Sequence, residues 1–285
     1  MADKTKAPAQ YGAEGAKKPV TVSTLLDMKR KGLKIAMLTA YDFPTARIAE
    51  EAGVDVLLVG DSVGMTKLGY ESTLPVTVDE ILHHTKAVKR GSSRALIVAD
   101  MPYLSYEVDP REAVRHAGRF LKEGGAHAVK LEGGMEVANT VKELLKVNVP
   151  VIGHLGLTPQ AVNRLGGYKV QGRRPEDAER IVTEARILEA AGVCAVVLEC
   201  VPSELAKEVT KKVSVPTIGI GAGPHCDGQV LVSDDMLGLT EGGPTKFVKR
   251  YADLRERSIK AVGDYCREVR EGSFPGPEHS FAAQK

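Results

Sequence analysis

The chain has 285 residues, of which 43% are hydrophobic and 29 are glycine, and its 39 Lys and Arg nearly balance its 37 Asp and Glu. This length fits one large α/β domain with a sizeable core, and the balanced charge excludes the strong positive field of a nucleic-acid-binding surface. No apolar run approaches the roughly 20 residues of a membrane-spanning helix, and the N-terminus lacks a secretion signal. A cytoplasmic protein without nucleic-acid or membrane partners is expected.

Between residues 20 and 270 one pattern repeats: a short β-branched apolar run, a polar or glycine-rich turn, and an amphipathic stretch. Residues 1–19 lack periodicity and are predicted to be a disordered tail, and residues 271–285 a C-terminal tail. The predicted strands are Ile35–Ala40, Val56–Gly60, Ala95–Ala99, Ala126–Leu131, Val149–Gly153, Ala195–Glu199, Thr217–Ile220 and Val230–Ser233. The predicted helices are Pro44–Ala52, Val78–Lys89, Pro110–Glu123, Met135–Lys146, Pro175–Ala191 and Pro202–Lys212, and an eighth strand-following helix lies between Met236 and Arg270.

The apolar runs are hydrophobic nearly throughout rather than at alternate positions, which is typical of parallel strands covered on both faces. Alternating strands and helices require parallel strands joined by right-handed crossovers. Eight repeats in this length predict a single closed (β/α)8 barrel domain over residues 20–270. The alternative is an open, doubly wound sheet.

Six consecutive predicted strands end at an ionisable side chain, and (β/α)8 barrels build their active sites at these ends. The strand-end residues are Asp42, Asp61, Asp100, Lys130 with Glu132, His154 and Glu199.

Three of these acids, Asp61, Asp100 and Glu132, come from neighbouring strands and are expected to face one another. Carboxylates at such short separations repel unless a cation neutralises them, and all-oxygen donors favour Mg²⁺ or Mn²⁺ over zinc. The sequence therefore predicts a metal site. The alternative is that each acid caps the helix that follows its strand.

Lys130 and Glu132 are two residues apart in a strand, so both point into the barrel. One interpretation is that they form an internal ion pair. The other is that Lys130 lies beside a substrate carboxylate or a developing enolate oxygen. The two interpretations are compatible. Glu199 is the candidate general base, with orientation of Lys130 or His154 as its alternative role. His154 is either a catalyst or a structural residue that hydrogen-bonds to the side chains in contact with the substrate. His83 and His84 are expected to be exposed on a helix.

Eight segments resemble the ketopantoate hydroxymethyltransferase family, and the resemblance extends from Val20 to Arg270. They are MLTAYD (37–42), LVGDSVGMT (58–66), STLPVT (72–77), VKLEGG (129–134), GHLGLTPQ (153–160), GGYKVQGR (166–173), LECVP (198–202) and IGIGAG (218–223). The resemblance implies a (β/α)8 barrel of the phosphoenolpyruvate/pyruvate type, often assembled as a homodecamer. It also implies transfer of a hydroxymethyl group from 5,10-methylenetetrahydrofolate to 3-methyl-2-oxobutanoate, giving 2-dehydropantoate in the first committed step of pantothenate biosynthesis.

The resemblance further implies roles for the strand-end residues. The Mg²⁺ ligands map onto Asp61 and Asp100, with Glu132 a ligand directly or through water. The contacts to the 2-oxo acid map onto Asp61, Ser62, Asp100 and Lys130, and the proton acceptor maps onto Glu199. The folate contacts follow no clear motif, so the resemblance assigns them to no residue of this sequence.

Two competing functions stay open from the sequence. One is a barrel enzyme of the same class with another reaction, such as a lyase or mutase that acts on phosphoenolpyruvate or a 2-methylisocitrate-like acid. The other is a non-catalytic barrel that serves as a ligand sensor or an assembly scaffold.

Overall fold

A computed structural model of the protein describes residues 18–242 and 245–283. The chain folds into two compact units, of which the first ends at Val232 and the second begins at Ser233. Most of the predicted N-terminal tail lies outside the described residues. The division into one domain over residues 20–270 and a tail over 271–285 stays a prediction.

Eight parallel strands form a closed barrel in the first unit. Each strand pairs with the next one in the sequence, and the eighth pairs with the first. This closure confirms the predicted (β/α)8 fold over the open sheet. The strands are β1 Ile35–Thr39, β2 Val56–Val59, β3 Leu96–Asp100, β4 Ala128–Glu132, β5 Val151–Gly156, β6 Ala195–Glu199, β7 Thr217–Ile220 and β8 Gly228–Leu231.

The six predicted helices of this unit are all present, with ends that shift by one or two residues, and the start of the fourth is a 3₁₀ turn, Met135–Val137. The sequence pattern missed the helix before β1 and the short helix after β2, whereas the short helix after β5 follows the turn over residues 155–159, as the sequence predicts. The helices are α1 Val22–Arg30, α2 Phe43–Ala52, α3 Val63–Thr66, α4 Val78–Gly91, α5 Pro110–Lys122, α6 Ala138–Lys146, α7 Val162–Leu165, α8 Pro175–Ala191 and α9 Ser203–Lys212.

The second unit contains a short helix, α10 Ser233–Met236, and a long one, α11 Leu254–Glu271, followed by a 3₁₀ turn over Pro277–His279. Helix α11 matches the helix that was predicted between Met236 and Arg270. Within the described part of the chain, no helix combines the length and the apolar character that crossing a membrane requires.

The strands are apolar throughout because alternate residues enter two different cores. In β2, Leu57 and Val59 pack outward against the helices, whereas Val56 and Leu58 pack inside the barrel. Leu25 of α1 joins the inner cluster. This two-sided burial explains why a period of two is invisible in the sequence although the side chains do alternate.

Asp and Pro residues fix the start of two crossover helices. The Asp42 carboxylate accepts a hydrogen bond of 2.7 Å from the Thr45 backbone N–H at the start of α2. Asp109 does the same at α5, over 2.8 Å to Arg111 N. Such N-caps contribute about 1 kcal/mol each. Asp42, at the end of β1, therefore caps a helix rather than joining a cluster of acids.

Glu50 of α2 ties that helix to the segment that enters β3. Its carboxylate accepts hydrogen bonds from backbone and hydroxyl donors of residues 92–95, at distances between 2.6 and 3.2 Å. Burial alone would raise the pKa of Glu50, but these hydrogen bonds outweigh it and lower the pKa to about 2. The ionised carboxylate therefore stabilises the folded barrel.

We expect Glu50→Gln to lower the free energy of unfolding at pH 7 by about 2 kcal/mol, because donors would lose their charged acceptor. A lowered pKa stabilises the fold above the unfolded value of 4.5, and this stabilisation is lost as the pH falls toward about 2. The difference between wild type and variant should therefore shrink between pH 7 and pH 3.5. Urea unfolding at both pH values measures it.

Glu51→Gln is the matched control, since Glu51 is exposed and forms an ion pair with Arg47 of its own helix, at 3.0 Å. Its effect should stay below about 0.5 kcal/mol at both pH values. Equal losses in the two variants would contradict the role given to Glu50.

Candidate active site

The inward-facing residues of the strands change from apolar to polar at the C-terminal end of the barrel. In β4, Ala128 belongs to the inner apolar cluster, and the next two inward positions are Lys130 and Glu132. Asp100 follows Val98 in β3 in the same way, and His154 follows Ile152 in β5. All four polar side chains are buried. A layer of charged groups therefore lies directly on an apolar core.

Lys130 is the cation at the centre of this layer. Its Nζ lies 2.8 Å from Asp100 Oδ1, 3.4 Å from Glu132 Oε1 and 3.3 Å from His154 Nδ1. Burial alone would lower the pKa of Lys130, but Asp100 and Glu132 outweigh it and raise the pKa above its ordinary value. Lys130 is therefore charged at neutral pH, and the internal ion pair read from the sequence is present.

His154 connects two glutamates. Its Nδ1 lies 3.2 Å from Glu132 Oε1, and its Nε2 lies 3.2 Å from Glu199 Oε2. Burial and Lys130 would lower the pKa of His154, but Glu132 and Glu199 outweigh them and raise the pKa to about 9. The side chain of Glu199 is 16% exposed, compared with 3% for Glu132. Glu199 is thus the most accessible acid of the cluster, held by a protonated imidazole.

The end of β2 places Asp61 beside Asp100. The Asp61 backbone N–H donates to Asp100 Oδ2 over 3.1 Å, and Asp61 Oδ2 accepts from Gln160 Nε2 over 2.9 Å. Burial, together with the charges of Asp100 and Glu132, raises the pKa of Asp61 well above its ordinary value. Burial likewise raises the pKa of Asp100, although Lys130 opposes this.

Glu132 differs from Asp61 and Asp100 in that its neighbours lower its pKa. Burial alone would raise its pKa, but Lys130 and His154 outweigh burial and lower the pKa to about 2. Its Oε1 faces both of these cations, and its Oε2 accepts from the Gln160 backbone N–H over 3.0 Å. Both oxygens of Glu132 are therefore engaged by protein donors.

The donor chemistry of this cluster fits a hard divalent cation. Within the part of the chain that the structure describes, two cations contact this group of four acids (Asp61, Asp100, Glu132 and Glu199), and these are Lys130 and His154. Two negative charges therefore stay uncompensated by these residues when all four acids are ionised. Among the described residues, no group of three or more His, Cys, Asp or Glu side chains is arranged to hold a metal together. Mg²⁺ needs only one or two protein carboxylates, with water and substrate filling its other positions.

Ser62 lies at the start of α3, and its Oγ is 2.8 Å from Tyr41 Oη. The carbonyl of Tyr41 is contacted by His84 Nδ1 at 2.6 Å. The expectation that His84 is exposed is therefore wrong, because α4 packs this side chain against the end of β1. His83 is exposed, as expected.

Gly156 lets β5 approach β6 closely at the end of the barrel. Its φ is +94°, and an added Cβ would lie 2.2 Å from the carbonyl oxygen of Glu199. The adjacent Leu157 N–H donates to that same carbonyl over 2.8 Å. A side chain at position 156 would push the two strands apart and separate His154 from Glu199.

Sequence reasoning missed three residues of this site. Gln160 and Tyr106 hydrogen-bond to the acids or to their backbone. Tyr168 lies near them: burial and the charges of Asp61, Glu199 and Glu132 raise its pKa, and its Oη is 3.9 Å from Met65 Sδ. Gln160 and Tyr168 stand inside two segments that carried the family resemblance, but neutral loop side chains offered no chemical signal of their own.

Solved structures with this fold are known. A phosphonopyruvate hydrolase in complex with oxalate and Mg²⁺ aligns with a TM-score of 0.60 and 13% identity, covering 90% of this chain and 92% of the other. A 2,3-dimethylmalate lyase, a member of the PEP mutase/isocitrate lyase superfamily, aligns with a TM-score of 0.57 and 16% identity, covering 92% of both chains. At these identities the likenesses show a shared barrel fold, in agreement with the closed barrel of this chain.

The sequence itself matches much nearer relatives. The 3-methyl-2-oxobutanoate hydroxymethyltransferase of Thermoanaerobacter sp. (strain X514) is 56% identical over 266 residues, 93% of this chain and 97% of the relative. The enzyme of that name from Syntrophus aciditrophicus (strain SB) is 56% identical over 262 residues, covering 92% and 96%. The model of the ketopantoate hydroxymethyltransferase family matches residues 19–277. The chain therefore belongs to the ketopantoate hydroxymethyltransferase family and is an enzyme, a transferase.

Proposed function

We propose that this enzyme transfers a hydroxymethyl group from 5,10-methylenetetrahydrofolate to 3-methyl-2-oxobutanoate. The product is 2-dehydropantoate, made in the first committed step of pantothenate and coenzyme A biosynthesis. The observation that carries the proposal is the buried cluster of acids around Lys130, with the partly exposed Glu199 at its edge. Such a cluster suits removal of a proton beside a carbonyl and stabilisation of the resulting charge.

Asp61 and Asp100 are the proposed ligands of Mg²⁺, and Glu132 acts through a water molecule. Asp61 Oδ1 accepts no hydrogen bond from the described residues, which supports Asp61 as a direct ligand. Glu132 Oε1 faces two cations, Lys130 and His154, whose charges would repel a metal ion placed directly against Glu132. When bound, Mg²⁺ would supply Lewis-acid stabilisation of several kcal/mol to negative charge on the substrate oxygens. The hydrolase of the same fold that was solved with oxalate and Mg²⁺ is consistent with this metal.

The 2-oxo acid is proposed to contact Asp61, Ser62, Asp100 and Lys130. The protonated Lys130 provides a fixed positive charge for the substrate carboxylate or for the oxygen that becomes negative on enolisation. Because Lys130 is held by Asp100 and Glu132, its ammonium group needs no rearrangement when that charge develops.

Glu199 is the proposed proton acceptor. Its carboxylate takes the proton from C3 of the 2-oxo acid, and the C–H electron pair becomes the enolate. The protonated His154 holds Glu199 Oε2 at 3.2 Å, which leaves Oε1 to face the substrate. The enolate carbon then bonds to the one-carbon unit of the folate. Both carbon–nitrogen bonds of that unit break, the hydroxyl of a water molecule replaces the second nitrogen, and the two folate nitrogens take up the proton from C3 and the proton from water, which gives tetrahydrofolate.

The remaining rival is a reaction of another barrel enzyme, such as a lyase or a mutase on a related acid. The names of the near relatives support the hydroxymethyl transfer instead. Product formation that depends on methylenetetrahydrofolate separates the two, because lyases and mutases of this fold need no one-carbon donor. Membership of an enzyme family removes the reading as a non-catalytic scaffold.

Glu199→Gln should lower the rate of deuterium exchange at C3 of 3-methyl-2-oxobutanoate by at least about 100-fold, because an amide cannot accept the proton. Binding of Mg²⁺ and of the 2-oxo acid should persist, since neither is proposed to use Glu199. Proton NMR in deuterated buffer measures the exchange without folate.

Glu204→Gln is the matched control for this variant, because Glu204 lies in α9, five residues along the chain, and is 77% exposed. It should exchange at the wild-type rate. Unchanged exchange in Glu199→Gln would remove Glu199 from the role of base, and an inactive wild-type protein would overturn the proposed function itself.

Asp61→Asn should weaken Mg²⁺ binding by at least about 100-fold, because it removes a direct ligand. Glu132→Gln should weaken binding by about 10-fold, because Glu132 is proposed to act through a water molecule. Isothermal titration calorimetry with Mg²⁺ alone measures both dissociation constants. Equal losses in the two variants would make Glu132 a direct ligand.

The working enzyme is proposed to be a cytoplasmic homo-oligomer, a decamer by the family resemblance. Helix α11 supports assembly, since it exposes Ile259, Val262, Tyr265 and Val269 on one face. Val262→Asp should reduce the mass measured by light scattering, whereas Lys260→Ala on the opposite face should not. A wild-type mass of 30.5 kDa, that of one chain, would contradict the proposal.

A further inference from the structure

Gln160 lies between two of the buried acids without carrying a charge. It belongs to the 3₁₀ turn Pro159–Ala161 that follows β5, and it is 6% exposed. Its side chain reaches Asp61 at the end of β2, and its backbone reaches Glu132 at the end of β4. One loop residue therefore contacts acids from two other strands.

Every polar atom of the Gln160 side chain is used. Nε2 donates to Asp61 Oδ2 over 2.9 Å and to the Met101 carbonyl over 3.0 Å. Oε1 accepts from Tyr106 Oη over 2.7 Å. The Gln160 backbone N–H donates to Glu132 Oε2 over 3.0 Å.

The orientation of this amide is fixed from its far end. Tyr106 Oη accepts from the Glu132 backbone N–H over 3.2 Å, and its own hydrogen has two acceptors within reach. Of these, Gln160 Oε1 at 2.7 Å is nearer than the Glu132 carbonyl at 3.1 Å, which favours donation to Gln160. A reversed amide would place its oxygen against the Asp61 carboxylate and the Met101 carbonyl, where each contact would join two acceptors. The chain of hydrogen bonds thus runs in one direction, from the backbone of Glu132 to Asp61.

We infer that Gln160 is a positioning residue that occupies Asp61 Oδ2, holds Glu132, and thereby presents Asp61 Oδ1 to the divalent cation, an inference that rests on the function proposed above. A neutral amide orients Asp61 and leaves its negative charge uncancelled. A lysine or arginine in the same place would neutralise Asp61 and compete with the cation.

Gln160→Met tests the inference, because it keeps the length of the side chain and the backbone N–H to Glu132 but removes the amide. The Mg²⁺ dissociation constant, measured by calorimetry without substrate, should rise by at least about 10-fold. Deuterium exchange at C3 of 3-methyl-2-oxobutanoate should slow at low Mg²⁺ and recover at saturating Mg²⁺. A merely structural role would lower the unfolding temperature without such recovery.

Gln171→Met is the matched control, since the Gln171 amide donates to the Lys169 carbonyl over 3.0 Å and contacts no acid of the cluster. Its Mg²⁺ dissociation constant should equal that of the wild type. A wild-type constant in folded Gln160→Met, or an exchange defect that saturating Mg²⁺ does not restore, would overturn the inference.

Tyr106→Phe provides a second variant should Gln160→Met not fold, because it removes the hydroxyl that orients the amide and leaves Gln160 in place. It should raise the Mg²⁺ dissociation constant in the same direction, and an unchanged constant would also overturn the inference. Failure of the proposed function is distinguishable, since it would appear as absent Mg²⁺ binding or absent exchange in the unaltered protein.

Discussion

Burial of more acids than bases at one end of the barrel is the constraint on which the site depends. Water cannot reach these groups freely, so each charge must be matched by a neighbour. Lys130 and His154 meet this need for Glu132, whose pKa falls to about 2, but they leave Asp61 with a raised pKa. A cation from outside would compensate the remaining negative charge, which is why we propose Mg²⁺ at Asp61 and Asp100.

The register of the barrel determines which groups meet. Asp100 pairs with Lys130 across β3 and β4, and Glu132 pairs with His154 across β4 and β5. Glu199 pairs with Gly156, which follows His154 by two residues and so lies nearer the C-terminal end of β5. A shift of one residue in any of these pairs would turn a charged side chain toward the helices, where the outer apolar cluster lies. The strand register of the barrel thus fixes the positions of the charged side chains relative to one another.

The distant solved structures share the fold of this chain and little of its sequence. A shared barrel at 13–16% identity leaves the reaction undecided, because many chemistries use the same fold. The binding role that we propose therefore rests on the polar layer above the inner core and on the loop residues that orient it. Gln160 and Tyr106 belong to such loops, in which a neutral hydrogen bond sets the direction of a charged side chain.

The sequence by itself determined the barrel, the strand that carries each ionisable residue, and the family, since apolar runs, strand ends and motifs are local patterns. It could not show that Asp42 caps a helix, that His84 is packed against β1, or that Glu132 has both oxygens engaged. Only the tertiary structure decided these points. Hydrogen-bond partners such as Gln160 and Asp61 are 99 residues apart in the chain, and no local pattern encodes a contact that closure of the barrel creates.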